Sequence, residues 1–232
     1  MKANRTRGEE GTAPLRAGIV TALEPQAKHA ERYNLYIDDH FVLGLSAFVA
    51  SQVRVGQRLD LKQLEQLART EQVERAHEAA LRRLETRPRS EAEIRSALAV
   101  KGFSADVCDE VVRRLADAGL VDDRDFARFW VENREGFRPR SARALKYELR
   151  RKGVSNEEIS RVVRGVDEAD SAYRAARPKA ERLRNLDSME FRNKLSGFLG
   201  RRGYDYQVIR NTVTKLWKEL NTDSPDTDEE IE

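Results

Sequence analysis

Apolar positions change their period once along this chain. From Ile19 to Leu45 they fall in short runs rich in β-branched and aromatic residues: Ile19-Val20-Thr21-Ala22-Leu23, Tyr33-Asn34-Leu35-Tyr36-Ile37 and Phe41-Val42-Leu43-Gly44-Leu45. Such partly alternating runs predict strands. Asp38-Asp39-His40 suits a hairpin turn between the last two. Ser46 is placed to cap a short helix through Gln52, and Val53–Leu59 reads as a further extended segment. A sheet this small needs a helix against it. From about Asp60 onward the spacing is helical, first at Leu61, Leu64 and Leu67, then at Val73, Ala76, Ala80, Leu81 and Leu84 of a long segment from about Thr70 to Glu85.

The helical part repeats itself. Arg87-Pro88-Arg89-Ser90 recurs unchanged as Arg138-Pro139-Arg140-Ser141, 51 residues on. Lys101-Gly102-Phe103 recurs as Lys152-Gly153-Val154 and, more weakly, as Arg202-Gly203-Tyr204. Fixed-period self-similarity signals stacked copies of one small unit. Helix starts and stops follow the same grammar in each copy. Ser90 with Glu93, and Ser155 with Glu158, have capping-box spacing; Asp122 or Asp123, Ser104, Ser141 and Asp205 also stand where caps belong. Gly102, Gly119, Gly136 and Gly153 stand where helices end. The apolar faces are Ile94 and Leu98, then Leu145 and Leu149, then Leu195 and Leu199. Pro178 lies inside the long helix expected from Asp167 towards Asn185 and should kink or split it.

The expected fold is therefore mainly α, with three tandem three-helix repeats forming an elongated, curved body behind a small N-terminal β-rich extension. The boundaries read as a disordered start over 1–14, a β-rich domain over 15–60, repeats over 61–121, 122–166 and 167–221, and a disordered acidic tail over 222–232.

Charge adds a partner class. Charged residues make up 36% of the 232 residues, and the formal net charge is +3. The segment from Thr222 to Glu232 holds six acids and no Lys or Arg, so residues 1–221 carry +9. Residues 1–60 contribute only +1, which leaves a basic helical body. That suits an anionic partner, nucleic acid or an acidic protein face; a solvated surface laced with i,i+4 ion pairs accounts for the same composition. Cys108, the only cysteine, aligns with Ile159 and Ile209 and reads as a small buried hydrophobe. With no internal disulfide possible, no apolar run near Met1 and no stretch long enough to span a bilayer, the cytoplasm is the expected compartment; a monomer is the expected state.

Signals for chemistry are weak. There is no phosphate-binding Gly-x-x-x-x-Gly-Lys-Ser/Thr loop and no Gly-x-Ser-x-Gly elbow. His29, His40 and His77 are scattered, and Asp122-Asp123 reads as a helix start rather than a metal site. The expectation is a binding protein with no catalytic residue, metal or cofactor. Its candidate contacts are the repeated arginines Arg87, Arg89, Arg138 and Arg140 beside helix N-termini, which suit phosphate or carboxylate. The bases around the glycine stops join them: Lys101, Arg150, Arg151, Lys152, Arg201 and Arg202, with Lys146 as a further candidate and Tyr147 as a surface aromatic. Each of these has a plainer reading, as an internal ion pair or as a helix-dipole complement.

Taken in order, Arg87-Pro-Arg-Ser-Glu91, Lys101-Gly-Phe103, Gly119-Leu-Val-Asp-Asp123, Phe126-Ala-Arg128, Glu148-Leu-Arg-Arg-Lys-Gly-Val154 and Phe198-Leu-Gly-Arg-Arg-Gly-Tyr204 resemble the RecX family of recombination regulators. The resemblance covers about residues 70–220. Leu35-Tyr-Ile-Asp38 and Phe41-Val-Leu-Gly-Leu-Ser46 look like the extension of its longer members. Pro178 and the acidic tail depart from the pattern. The resemblance implies a role in DNA recombination, repair and the SOS response, through binding in the groove of the RecA filament and inhibition of its ATPase, growth and strand exchange. Single- or double-stranded DNA is a further implied partner. The alternative is a stand-alone DNA-binding protein or transcription regulator using helix-turn-helix-like units.

Overall fold

The computed structural model describes residues 15–27 and 29–222. The expected disordered start and the acidic tail beyond Thr222 lie outside them. The chain forms two compact units, one of the residues up to Thr86 with Ile94–Asp117, the other of Arg87–Glu93 with Ala118 onward.

The first unit begins with β1 (Gly18–Gln26), β2 (His29–Ile37) and β3 (His40–Ser46). With the two-residue β4 (Arg58–Leu59) they make an antiparallel sheet in the order β3-β2-β1-β4. Leu35 stands opposite Leu23 on one side and Leu43 on the other. The hairpin turns on Asp38 and Asp39, whose φ values of 47° and 64° are the left-handed pair a tight two-residue loop requires. The segment expected to extend over Val53–Leu59 pairs only at Arg58 and Leu59. Gly56, at φ +86°, and the bond from Gln57 N to Arg54 O fold the rest into a turn. Ser46 caps α1 (Ala47–Ala50), shorter than the expected helix through Gln52.

One helix of 24 residues, α2 (Leu61–Leu84), replaces the two expected segments. Asp60 and Gln63 form its reciprocal capping box. Its first turns bring Leu64 and Leu67 onto Val20, Leu35, Ile37 and Leu45 of the sheet, supplying the cover that so small a sheet needs. Glu71 ties the two together. It is only 4% exposed, and its carboxylate accepts from Ser46 N at 2.7 Å and from Arg32 at 2.9 Å. Further along, α2 buries Val73, Ala76 and Ala80. The helix α3 (Glu91–Val100) buries Ile94 and Leu98, and α4 (Ala105–Asp117) buries Val107, Cys108, Val111, Val112 and Leu115. Cys108 is the small apolar filler its alignment implied; burial pushes its thiol pKa up, away from reactivity.

The second unit holds two more helix triplets. The first comprises α5 (Asp123–Phe137), α6 (Ala142–Arg151) and α7 (Asn156–Val163), and the second α8 (Glu168–Arg182), α9 (Ser188–Arg201) and α10 (Tyr206–Thr222). Phe126, Val131, Leu145, Leu149, Ile159 and Val163 form one core; Ala172, Ala176, Phe191, Leu195, Leu199, Val213 and Leu216 form the other. Trp130 and Trp217 pack at the margins of these cores.

Three local expectations are corrected. Gly136 does not end α5, which runs on to Phe137 and caps at Arg138. Pro178 does not split α8: the ring lies on the exposed side, where the carbonyl it leaves unbonded can be hydrated. Neither Ser-x-x-Glu pair is reciprocal. Ser90 and Ser155 do accept from the amides of Glu93 and Glu158, but both carboxylates bind basic side chains instead.

The glycine stops differ in what surrounds them. Gly102 and Gly153 share φ near +85°, but a Cβ on Gly102 meets nothing within 4 Å, whereas one on Gly153 meets the Ala92 Cβ at 2.3 Å. Gly102→Ala should therefore cost only the left-handed penalty, about 1 kcal/mol. Gly153→Ala adds a clash and should cost about 2 kcal/mol or more. Urea unfolding of the two variants, with the larger loss at Gly153, is the check.

Candidate partner-binding site at two loop joints

The repeated Arg-Pro-Arg-Ser loops each meet the glycine stop of a later helix, both within the second unit. At the first joint Ser90 is fully buried. Its Oγ accepts from Glu93 N at 3.1 Å and donates to Lys152 O, next to Gly153, at 2.6 Å. At the second joint buried Ser141 accepts from Ala144 N at 3.1 Å, and its own N–H donates to Arg202 O, next to Gly203, at 3.2 Å. A Cβ on Gly203 would lie 2.7 Å from Ser141 Oγ. The serine thus has two tasks: it caps its own helix, worth about 1 kcal/mol, and it seats the end of another.

Acids next to the Asp caps complete each joint. Asp122 caps α5, while Asp123 Oδ1 accepts from Glu91 N at 2.9 Å. Likewise Asp167 caps α8, while Glu168 accepts from Ala142 N at 2.6 Å. The carboxylates complement amides at a helix N-terminus. Sequence reasoning assigned this dipeptide only to capping its own helix. Its recurrence 45 residues apart as Asp122-Asp123 and Asp167-Glu168 was the available signal.

The charges of the two joints differ. At the first, Arg87 grips Glu93 with two bonds of 3.0 and 3.1 Å, and Lys152 Nζ reaches the same carboxylate at 2.6 Å. The Lys152 ammonium also sits 4.1 Å from the centre of the Trp130 ring. Burial alone would raise the Glu93 pKa, but the hydrogen bonds from Arg87 and Lys152 outweigh it and hold the group at about 2. Glu148 takes Arg134 at 2.8 Å, Arg140 at 3.1 Å and the Trp130 indole N–H at 2.8 Å. At the second joint Ala144 stands where Glu93 stands at the first. The Arg202 guanidinium lies 4.0 Å over the Phe198 ring. Burial, then Arg140, Arg138 and Arg201, push its pKa below the usual arginine value.

Comparison with known proteins follows the same division. The descriptions "RecX, first three-helix domain", "RecX, second three-helix domain" and "RecX, third three-helix domain" match residues 76–115, 122–163 and 167–213, and "Regulatory protein RecX N-terminal domain" matches 18–60. The chain belongs to the RecX family. A regulatory protein RecX of Clostridium botulinum (strain Alaska E43 / Type E3) is 28% identical over 84% of this chain and 94% of its own. One from Mycobacterium sp. (strain KMS) is 40% identical over 61% of this chain and 81% of its own. A crystal structure of regulatory protein RecX, 23% identical and covering 84% of this chain and 98% of its own, has the same fold at a TM-score of 0.64.

Within this RecX framework the sequence-derived contacts divide. Arg87, Arg140 and Lys152 are held in internal ion pairs, the plainer of their two readings. Arg89 and Lys146 are half-buried. Arg138, Arg151 and Arg201 are exposed, as is Arg150, which donates to Asn156 at 2.8 Å. Arg202 is half-buried. Tyr147 is 60% exposed, with the Arg151 guanidinium 6.0 Å from its ring centre. Lys101 is exposed and belongs to the first unit, whereas the joints belong to the second. Among the described residues no group of three or more His, Cys, Asp or Glu could hold a metal, and no helix is long and apolar enough to cross a membrane.

The first joint should be acid-labile. Glu93 has a folded pKa below its unfolded value, so its contribution is complete above about 4.5 and is lost as pH falls towards about 2. Glu93→Gln should unfold at lower temperature at neutral pH, because Arg87 and Lys152 lose their acid. It should also lose less stability than wild type between those pH values. Thermal unfolding followed by circular dichroism across that window tests this.

Proposed function

We propose that this chain regulates the RecA recombinase, docking along the RecA filament and restraining its ATP hydrolysis, growth and strand exchange. The observation that carries the reading is membership of the RecX regulatory family across the N-terminal domain and all three three-helix domains. The surface is in keeping with it. Arg138, Arg151 and Arg201 are exposed at repeat-related positions, and exposed Tyr147 adds an aromatic contact on the helix that carries Arg151. Charged groups in such places set the encounter rate and orientation of a partner more than its affinity. Contacts from more than one three-helix domain, each weak alone, add through effective concentration, so one chain can bridge successive filament subunits. Bridged subunits resist the rearrangements that turnover requires. The reaction chemistry remains that of RecA; this chain supplies binding. The cytoplasm, where such a filament forms, is the compartment that fits.

Titrating the full chain into RecA on single-stranded DNA should lower ATP hydrolysis to a plateau. Hydrolysis and filament length that do not change at saturating protein remove the reading. The double variant Arg151→Glu, Arg201→Glu reverses two exposed charges and should need about tenfold more protein for the same inhibition, with helical content unchanged. Tight binding to DNA without RecA, falling steeply with salt, is the result that would favour a stand-alone DNA-binding protein instead.

A further inference from the structure

The two joints are copies of one device, so the first shows what the second lacks. Position 87 matches 138, position 93 matches 144, and position 152 matches 202. At the first joint two cations, Arg87 and Lys152, close on the Glu93 carboxylate. At the second joint both cations are present, as Arg138 and Arg202, and the acid is not: the residue is Ala144. Ala144 does lie in the joint, since a Cβ on Gly203 would stand 3.1 Å from its own Cβ.

Nearby groups do not make up the loss. Among the described residues, the Glu148 carboxylate is shared by Arg134, Arg140 and Trp130, and Glu168 is committed to the Ala142 amide. Arg138, Arg201 and Arg202 have no ion pair among the described residues. Among the described residues the buried Arg202 Nε has no hydrogen-bond acceptor. A buried donor left unmade costs free energy. The arginine is also crowded by like charges, in keeping with the depression of its pKa noted above.

We propose that the second joint is an open receptor for a carboxylate, and that an Asp or Glu side chain of a protein partner fills between Arg138 and Arg202 the place that Glu93 fills in the first. A carboxylate is favoured over other anions because the sister joint holds one, gripped by two parallel bonds from one guanidinium, the planar match that arginine makes best. The inference deepens the function proposed above and rests on it for the identity of the protein that brings the acid.

The test supplies the missing acid from within. Ala144→Glu, at the third position of α6 behind Ser141, restores the sister arrangement. Anisotropy of a labelled hexaglutamate peptide should show binding to the full-length wild type. Ala144→Glu should weaken it by about tenfold or more, while its own melting temperature stays level or rises. Arg138→Gln, at an exposed position, should weaken the peptide similarly and guards against a folding artefact in the first variant. Equal hexaglutamate binding by wild type and both variants overturns the proposal. So does a labelled oligothymidylate that loses affinity in the variants while hexaglutamate does not, since the cluster then serves phosphate. If the peptide result is as expected but wild-type protein leaves RecA hydrolysis untouched, the carboxylate site stands and the RecA reading fails.

Discussion

The helices α6 and α9 both end on a left-handed glycine, and each glycine lies against the serine loop that opens an earlier helix. That approach sets the rest of the second unit. A side chain on Gly153 would collide with Ala92, and one on Gly203 with Ser141. Only a residue without Cβ lets the two backbones come close enough for Ser90 Oγ to reach Lys152 O, or for Ser141 N–H to reach Arg202 O. The same closeness brings Asp123 and Glu168 onto amides of α3 and α6. It also half-buries the base before each glycine beside the arginines of the loop. Geometry at the joint thus decides which charges meet. The small helical cores beneath, typified by Leu145 and Leu149 or Leu195 and Leu199, supply burial but little of that specificity.

This division explains what the sequence made legible. Helix starts, glycine stops and apolar faces are local rules, complete within a few residues, and repetition let one copy check another. Tandem three-helix units, the strand-rich start, the Asp38-Asp39 turn and the burial of Cys108 could all be read. What escaped depends on partners distant in sequence. Glu93 has capping-box spacing from Ser90, yet its carboxylate goes to Lys152, 59 residues away. Asp123 reads as a cap of its own helix and instead serves an amide 32 residues earlier. Two bases outbid one amide for a carboxylate, because charge-assisted bonds are the stronger ones. No local pattern encodes that competition. Gly136 and Pro178 misled for the opposite reason. Each is a helix breaker by composition, but one stands in a final turn and the other on a solvent face, where the helix loses little.

The arginine repeat carries both of its readings at once. Arg87 and Arg140 face acids of their own three-helix groups and belong to the scaffold, whereas Arg138 and Arg201 stay exposed. A motif can recur unchanged while the charges around it diverge: the substitution that separates the joints lies at positions 93 and 144, outside the repeated four residues. An ion pair closed within the protein stabilises it and offers nothing to a partner. The same cations without their acid carry a standing electrostatic cost, which an incoming anion can relieve. Repeats built alike but neutralised unequally therefore need not offer a partner the same contact. The acids that are absent distinguish the joints better than the arginines that are present.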